Sequence, residues 1–215
     1  MLGAFHFEER MTVLQASQEN IVQAAQIVRN GGLVVYPTET VYGLGCDPFN
    51  VEAVKRLLDV KGDRSKPLPV LAASLVDVEN VAFVSPNARV LAERFWPGSL
   101  TLVLSKKPSF PKVVTFGLDS VGLRIPDNDV ALRLIRLCGG LLIGSSANRT
   151  GEAPARSIRE LSDELKETVD VVLDGGDTVQ GVPSTVADLI SEKPKILREG
   201  PITAEELLGV LAFSD

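Results

Sequence analysis

Apolar residues recur along this chain with two alternating periods, and the alternation predicts helices and strands in turn. Ile21, Ala24, Ala25 and Val28 share one helical face, which predicts a helix that Gly31-Gly32 ends before a strand over residues 33–36. Asn50 caps a second helix carrying Val51, Val54, Leu57 and Leu58 on one side and Lys61 at its C-terminal end, where a polar loop opens. Residues 68–73 read as a buried strand whose Pro69 sets its start at an edge or a bulge. Ser85-Pro86 supplies the cap and first-turn proline of a helix that stops at Trp96-Pro97-Gly98, and residues 100–104 return as a strand. Val121, Leu123 and Ile125 alternate with Gly122 and Arg124, so a strand there puts Arg124 on the face opposite the apolar side chains. Asp129 caps a helix bearing Leu132, Ile135 and Arg136; Gly139-Gly140 closes it, and residues 141–143 lead into Ser145-Ser146-Ala147-Asn148. Ser157 with Glu160 and Thr203 with Glu206 read as capping boxes for the last two helices, with strands around residues 169–173 and 184–190 between them.

Composition supports the α/β reading. Apolar residues make up 45% of the 215, and Leu and Val dominate over aromatics, as strands covered on both faces require. No low-complexity run and no internal repeat divides the chain, so a single domain over residues 1–215, with its core at about 17–212, is expected. A net charge of −6 argues against a whole-surface nucleic-acid coat and restricts polyanion binding to a local cluster of cations. Cys46 and Cys138 lie far apart and outside metal-ligand spacing, no basic-then-apolar leader opens the chain, and no apolar run reaches bilayer length. A cytoplasmic protein with reduced thiols and no membrane partner is expected.

The chemistry concentrates in Tyr36-Pro37-Thr38-Glu39-Thr40-Val41-Tyr42-Gly43-Leu44-Gly45, in Lys61 and Arg64, and in the distant Ser145 to Asn148 turn. Small hydroxyls and glycines after a strand, joined by cations from other turns, describe a pocket for an anionic substrate. His6 is the only histidine and lies near the N-terminus, which argues against histidine general-base chemistry. Neither GxxxxGK[ST] nor GxGxxG occurs. Scattered Lys, Arg and hydroxyls suit phosphate transfer, where positioning and charge neutralisation carry most of the catalysis. Taken singly, each signal has a plainer reading. Thr38 and Thr40 fit strand-end turn hydroxyls and Arg124 a solvent-facing strand arginine. Lys61 and Arg64 fit a solvated helix end, favoured by the helix dipole by about 0.3–1 kcal/mol. Ser146 and Asn148 fit a turn, Trp96 a packing anchor with a bonded indole, and Asp174-Gly175-Gly176-Asp177 a tight turn.

The joint pattern adds Trp96-Pro97-Gly98 leading into Leu100-Thr101, Ser120 to Arg124, Pro183-Ser184-Thr185 and Leu197-Arg198-Glu199-Gly200-Pro201 to these motifs. In that order it resembles the YrdC-like family of threonylcarbamoyl-AMP synthases, over nearly the whole chain. The resemblance implies an α/β fold in which helices pack on a twisted mixed sheet around a concave, locally positive cleft. It also implies a reaction joining L-threonine, bicarbonate or CO2, and ATP. Threonine's amine captures the one-carbon unit as a carbamate, whose carboxylate attacks the α-phosphorus and expels pyrophosphate. A separate transfer protein or complex then moves the threonylcarbamoyl group to adenosine 37 of tRNA. The attacking carboxylate is already ionised, in keeping with the scarcity of histidine.

Residue by residue, the resemblance implies that Thr38, Arg124 and Ser184 serve L-threonine, Arg124 as the planar partner of its carboxylate. It implies that Lys61 and Arg64 hold the ATP phosphates, and that Ser120, Ser146, Asn148 and Arg198 stand on the nucleotide side. Mg2+ is expected with ATP, and its ligands stay unassigned. The family's usual Lys-x-Arg here reads Lys61-Gly62-Asp63-Arg64, followed by Ser65-Lys66, so either Arg64 reaches the phosphate through a rearranged turn or Lys66 takes part of its role. Two alternatives stand beside the synthase: a YrdC-like paralogue of different substrate, and a non-catalytic module that binds double-stranded RNA or tRNA.

Overall fold

The computed structural model describes residues 12–63, 66–191 and 194–212. In chain order its elements are β1 (Thr12–Gln15), α1 (Gln18–Arg29), β2 (Val34–Tyr36), β3 (Gly43–Gly45), α2 (Val51–Lys61), β4 (Val70–Ala72) and α3 (Leu75–Val81). There follow α4 (Pro86–Phe95), β5 (Leu100–Ser105), α5 (Lys112–Thr115), β6 (Ser120–Arg124), α6 (Asp129–Leu137), β7 (Leu141–Ile143) and β8 (Ser145–Ser146). A 3₁₀ turn at Ile158–Glu160 precedes α7 (Asp163–Thr168), β9 (Val171–Asp174), β10 (Thr185–Asp188), β11 (Lys195–Arg198) and α8 (Ala204–Ala212). Among the described residues the strands form two mixed sheets, ordered β1-β9-β2-β3-β8 and β11-β10-β5-β6-β4-β7. The chain crosses from one sheet to the other at Gly144, between β7 and β8.

Period-two alternation gives the strands two cores to fill. Val34 and Tyr36 of β2, Val171 and Leu173 of β9, Leu71 of β4 and Leu142 of β7 pack with the apolar faces of α1 and α6. Their neighbours Val35, Val172, Val70, Ala72, Leu141 and Ile143 enter the larger core with α2 and α4. Each strand is therefore covered on both sides, which is why its sequence reads as an apolar run. The helix α1 buries the predicted Ile21, Ala24, Ala25 and Val28, starts on the Ser17 side chain, which accepts from the Asn20 N–H, and stops at Asn30, before Gly31 at φ +89°.

Several predicted elements shift. Strand β4 is internal, paired with β6 on one side and β7 on the other; Pro69 sits just before its first paired residue and still accepts from the Gly144 N–H. Asn128, not Asp129, caps α6, whose buried face is Ala131, Leu134 and Ile135. Ser157 and Glu160 do not close a capping box: the Glu160 carboxylate accepts from the Arg156 N–H, the turn is 3₁₀, and α7 starts on Ser162 instead. The Thr203–Glu206 box forms, with the Thr203 N–H bonding the Glu206 carboxylate at 2.8 Å and the Glu206 N–H the Thr203 hydroxyl at 3.2 Å. Val51 is exposed at the first position of α2, where Ala53, Val54 and Leu57 carry the burial.

Candidate functional site

A cleft of about 670 Å³ opens between residues 38–43, the sheet crossing at residues 144–146, and one face of the six-stranded sheet. Volumes of this order suit a nucleotide-sized ligand. Along β6, Ser120, Gly122 and Arg124 face the cleft while Val121 and Leu123 point into the core. Along the β10 segment, Ser184, Val186, Asp188 and Ile190 do the same against Ala187 and Leu189.

Arg124 is buried, contrary to the plain expectation of a solvent-facing strand arginine. Its Nη1 donates to Glu39 Oε1 at 3.0 Å and to Thr40 Oγ1 at 3.1 Å. Thr40 Oγ1 lies 2.9 Å from Thr38 Oγ1, which donates to the Val41 carbonyl at 2.7 Å and accepts from the Thr40 N–H at 3.2 Å. A hydroxyl has one donor and two acceptor places. With all three at Thr38 taken, protons run in one sense from Arg124 through Thr40 and Thr38 to Val41, and the loop is fixed by its own side chains. The hydroxyl of Thr38 therefore does the turn work that the plainer reading gave it, while the residue also lines the cleft.

Glu39 lies within the Tyr36–Gly45 motif and packs against Arg124. Its Oε1 accepts from Arg124, while Oε2 is buried with no hydrogen-bond partner among the described residues. No spacing in the sequence pairs residue 39 with residue 124; only the packing of the loop on β6 does.

Across the cleft floor, Ser184 Oγ lies 2.8 Å from Thr101 Oγ1. Arg198 donates to the Ser184 carbonyl from both Nε (3.0 Å) and Nη2 (2.8 Å). The backbone at residue 200 packs directly on this segment because that residue is glycine: a Cβ there would stand 2.4 Å from the Pro183 carbonyl oxygen. Burial first, and the charge of Arg124 second, push the Arg198 pKa below its usual value. Two guanidiniums thus share one end of the cleft, and an anion there would relieve their repulsion.

Lys61 and Asn148 stand behind the wall and do not line the cleft. Lys61 ends α2 fully buried, where the plain reading had a solvated helix end. Its Nζ donates to the Ser146 carbonyl at 2.7 Å, to the Asn148 carbonyl, and to Asn148 Oδ1 at 3.2 Å. Asn148 Nδ2 in turn donates to the Arg149 and Glu152 carbonyls. Ser120, Ser145, Ser146 and Lys66 line the cleft, and Arg64 lies outside the described residues. Trp96 anchors the start of β5 through its indole N–H on the Leu100 carbonyl at 2.6 Å. The turn at residues 174–177 is tied to the cleft by Tyr42, whose hydroxyl donates to the Gly176 carbonyl and accepts from the Gly175 N–H.

The donor set does not fit a protein-held magnesium ion. Among the described residues no group of three or more His, Cys, Asp or Glu converges, and Asp188 is the one carboxylate lining the cleft. Nor is any described helix long and apolar enough to cross a membrane.

Comparison with known proteins shows the family of the chain. Threonylcarbamoyl-AMP synthase of Pyrococcus abyssi is 40% identical over 208 residues, covering 94% of this chain and 61% of that protein. Threonylcarbamoyl-AMP synthase of Bacillus subtilis is 39% identical over 201 residues, 92% of this chain and 58% of its own. The chain therefore spans about three fifths of these two curated relatives; a Mycobacterium tuberculosis relative, 40% identical over 199 residues, is covered to 91%. The crystal structure of P. abyssi Sua5 complexed with L-threonine superposes with a TM-score of 0.87 at 40% identity, over 93% of this chain and 59% of that one. E. coli YciO superposes with a TM-score of 0.83 at 27% identity, over 92% and 99%. The family model Sua5_yciO_yrdC, described as telomere recombination, matches residues 26–200, and the chain belongs to this Sua5/YciO/YrdC family.

Proposed function

We propose that this protein is an L-threonylcarbamoyladenylate synthase, a nucleotidyltransferase that forms threonylcarbamoyl-AMP and pyrophosphate from L-threonine, bicarbonate or CO2, and ATP. The observation that carries the reading is the state of Arg124. Both of its hydrogen bonds to protein leave from Nη1, so among the described residues Nε and Nη2 make none and remain for a planar carboxylate in the cleft. The likeness to a Sua5 structure complexed with L-threonine supports the same assignment.

In this reading threonine docks its carboxylate on Arg124, within reach of Ser184 and the residue 38–40 loop. Its amine attacks bicarbonate, water leaves, and the carbamate oxygen so formed attacks the α-phosphorus as an anion, breaking the bond to the bridging oxygen and expelling pyrophosphate. No side-chain base is needed to raise that nucleophile. Arg198 and Lys66 neutralise charge on the nucleotide side, with Ser120 and Ser146 as hydroxyl partners, while Lys61 and Asn148 hold the Ser146 segment in place. Arg64, carried from the family motif, would join the phosphate clamp. Magnesium enters with the ATP phosphates as part of the substrate. The product serves the threonylcarbamoyl modification of tRNA through a separate transfer protein in the cytoplasm.

Mass spectrometry after incubation with L-threonine, bicarbonate, magnesium and ATP tests the reaction. Threonylcarbamoyl-AMP should form with one pyrophosphate per product, and only when threonine and bicarbonate are both present. ATP turnover indifferent to threonine would refute the assignment.

A further inference from the structure

We propose that Asp188 recognises the ribose of the bound nucleotide and makes the site selective for ribonucleotides over 2′-deoxyribonucleotides; the inference rests on the nucleotide reading above. Strand register lays the cleft floor out in rows. In the first, Val186 pairs with Thr101 on one side and with Arg198 on the other, and Arg124 stands two residues beyond Gly122 on β6. In the second, Asp188 pairs with Val103, and Val103 with Gly122. Beyond it lie Ser120, two residues back along β6, and the apolar side chains of Leu118 and Ile190 at the rim. Rows two residues apart along a strand are separated by about 6.7 Å.

The rows differ in chemistry as the parts of a nucleotide do. The first carries both guanidiniums and takes the anionic groups. The second carries a carboxylate, which repels phosphate and accepts hydrogen bonds, so it suits a neutral hydroxyl-bearing group. Gly122 leaves this row without a side chain on β6, and a Cβ there would crowd Thr101 Cγ2 at 3.3 Å. The rim is apolar, as a purine requires. A nucleotide laid with its phosphates on the first row brings its pentose to the second.

Asp188 is prepared for that contact. The backbone N–H of Ile190 bonds Oδ1 at 2.9 Å and fixes the carboxylate of this cleft-lining residue, while Oδ2 accepts no hydrogen bond among the described residues. An ionised carboxylate is acceptor-only, and a vicinal diol offers it two donors. Hydrogen bonds to a charged group correspond to a roughly ten- to hundredfold preference for the ligand that makes them.

The test is titration calorimetry of the full chain with magnesium and either ATP or 2′-deoxy-ATP, on the wild type, Asp188→Ala and Asp188→Asn. Asn keeps an oxygen for the Ile190 N–H, so it guards against misfolding of the alanine variant. Wild type should bind ATP roughly tenfold or more tightly than 2′-deoxy-ATP, and either variant should bring the two within about twofold, with L-threonine affinity unchanged. Equal wild-type affinities, a preference retained in both variants, or a loss confined to L-threonine would overturn the role of Asp188 and leave the synthase reading standing. Failure of the wild type to bind either nucleotide would overturn both.

Discussion

Arg124 and Glu39 form an ion pair, Nη1 to Oε1 at 3.0 Å, with the two side chains 6% and 7% exposed. A buried pair of this kind is not a large net source of stability, since desolvation offsets most of the attraction, but removing one partner strands the other. Glu39→Ala should therefore cost about 3–5 kcal/mol of unfolding free energy. Arg124→Met combined with Glu39→Ala should cost less than the sum of the two single changes. Urea denaturation of the four proteins closes the cycle. Additive losses would mean that the pair carries no coupling.

Arg124 has a second duty in the proposed reaction, and Lys at the same place separates the two. Lysine keeps the charge beside Glu39 but lacks the fork that holds a carboxylate with two bonds. Arg124→Lys should raise the KM for L-threonine roughly 10- to 100-fold, as the loss of one charge-assisted bond predicts, with the ATP affinity little changed. Product formation at varied threonine and fixed ATP measures it. An equal rise in both KM values would place Arg124 on general cleft architecture rather than on the amino acid.

These two predictions use contacts of which the sequence offered only one half. Alternation in residues 121–125 put Arg124 on the face opposite the apolar side chains, and the structure agrees, because a strand's two-residue period is local information. Its partner Glu39 was invisible, because the loop after β2 meets β6 through the arrangement of two sheets. The same distinction explains the elements. Helix α1 was legible to its buried face because periodicity and cap lie within one segment. Strands β3 and β8 were hidden inside the functional motifs, since Gly43–Gly45 and Ser145–Ser146 have no apolar alternation; β3 exists by pairing with β2, and β8 by pairing with β3. Pro69 misled about β4 because a proline just outside the ladder removes no ladder hydrogen bond.

Lys61 is where the structure changes what a mutation should mean. With its ammonium bonded to the Ser146 and Asn148 carbonyls and to Asn148 Oδ1, Lys61→Met leaves buried acceptors without donors. Each orphaned group costs about 1–3 kcal/mol. Lys61→Met should lower the thermal midpoint of the ligand-free protein by several degrees, whereas Lys66→Met, on the exposed lip of the cleft, should leave it nearly unchanged and weaken only nucleotide binding. Differential scanning calorimetry without nucleotide separates them. Identical midpoints for Lys61→Met and wild type would show that the buried bonds do not hold the segment.

Alkaline pH should weaken the fold through its two thiols, Cys46 buried and Cys138 half-buried. Burial, with Asp47 adding to it, pushes Cys46 from the usual 9.0 up to about 12, and burial raises Cys138 to about 12 as well. Tyr36, buried with its hydroxyl on the Ile143 carbonyl, is also raised by desolvation. The folded state holds these protons more tightly than the unfolded chain does. Their stabilising contribution is thus complete below about pH 9 and is lost as pH rises toward 12. Each thiol should steepen the fall by up to about 1.4 kcal/mol per pH unit within that window. Urea unfolding followed from pH 8 to about 11 should show a shallower decline for Cys46→Ala than for wild type, whatever the variant's starting stability. Parallel slopes would mean that the Cys46 thiol ionises as readily in the folded protein as in the unfolded chain.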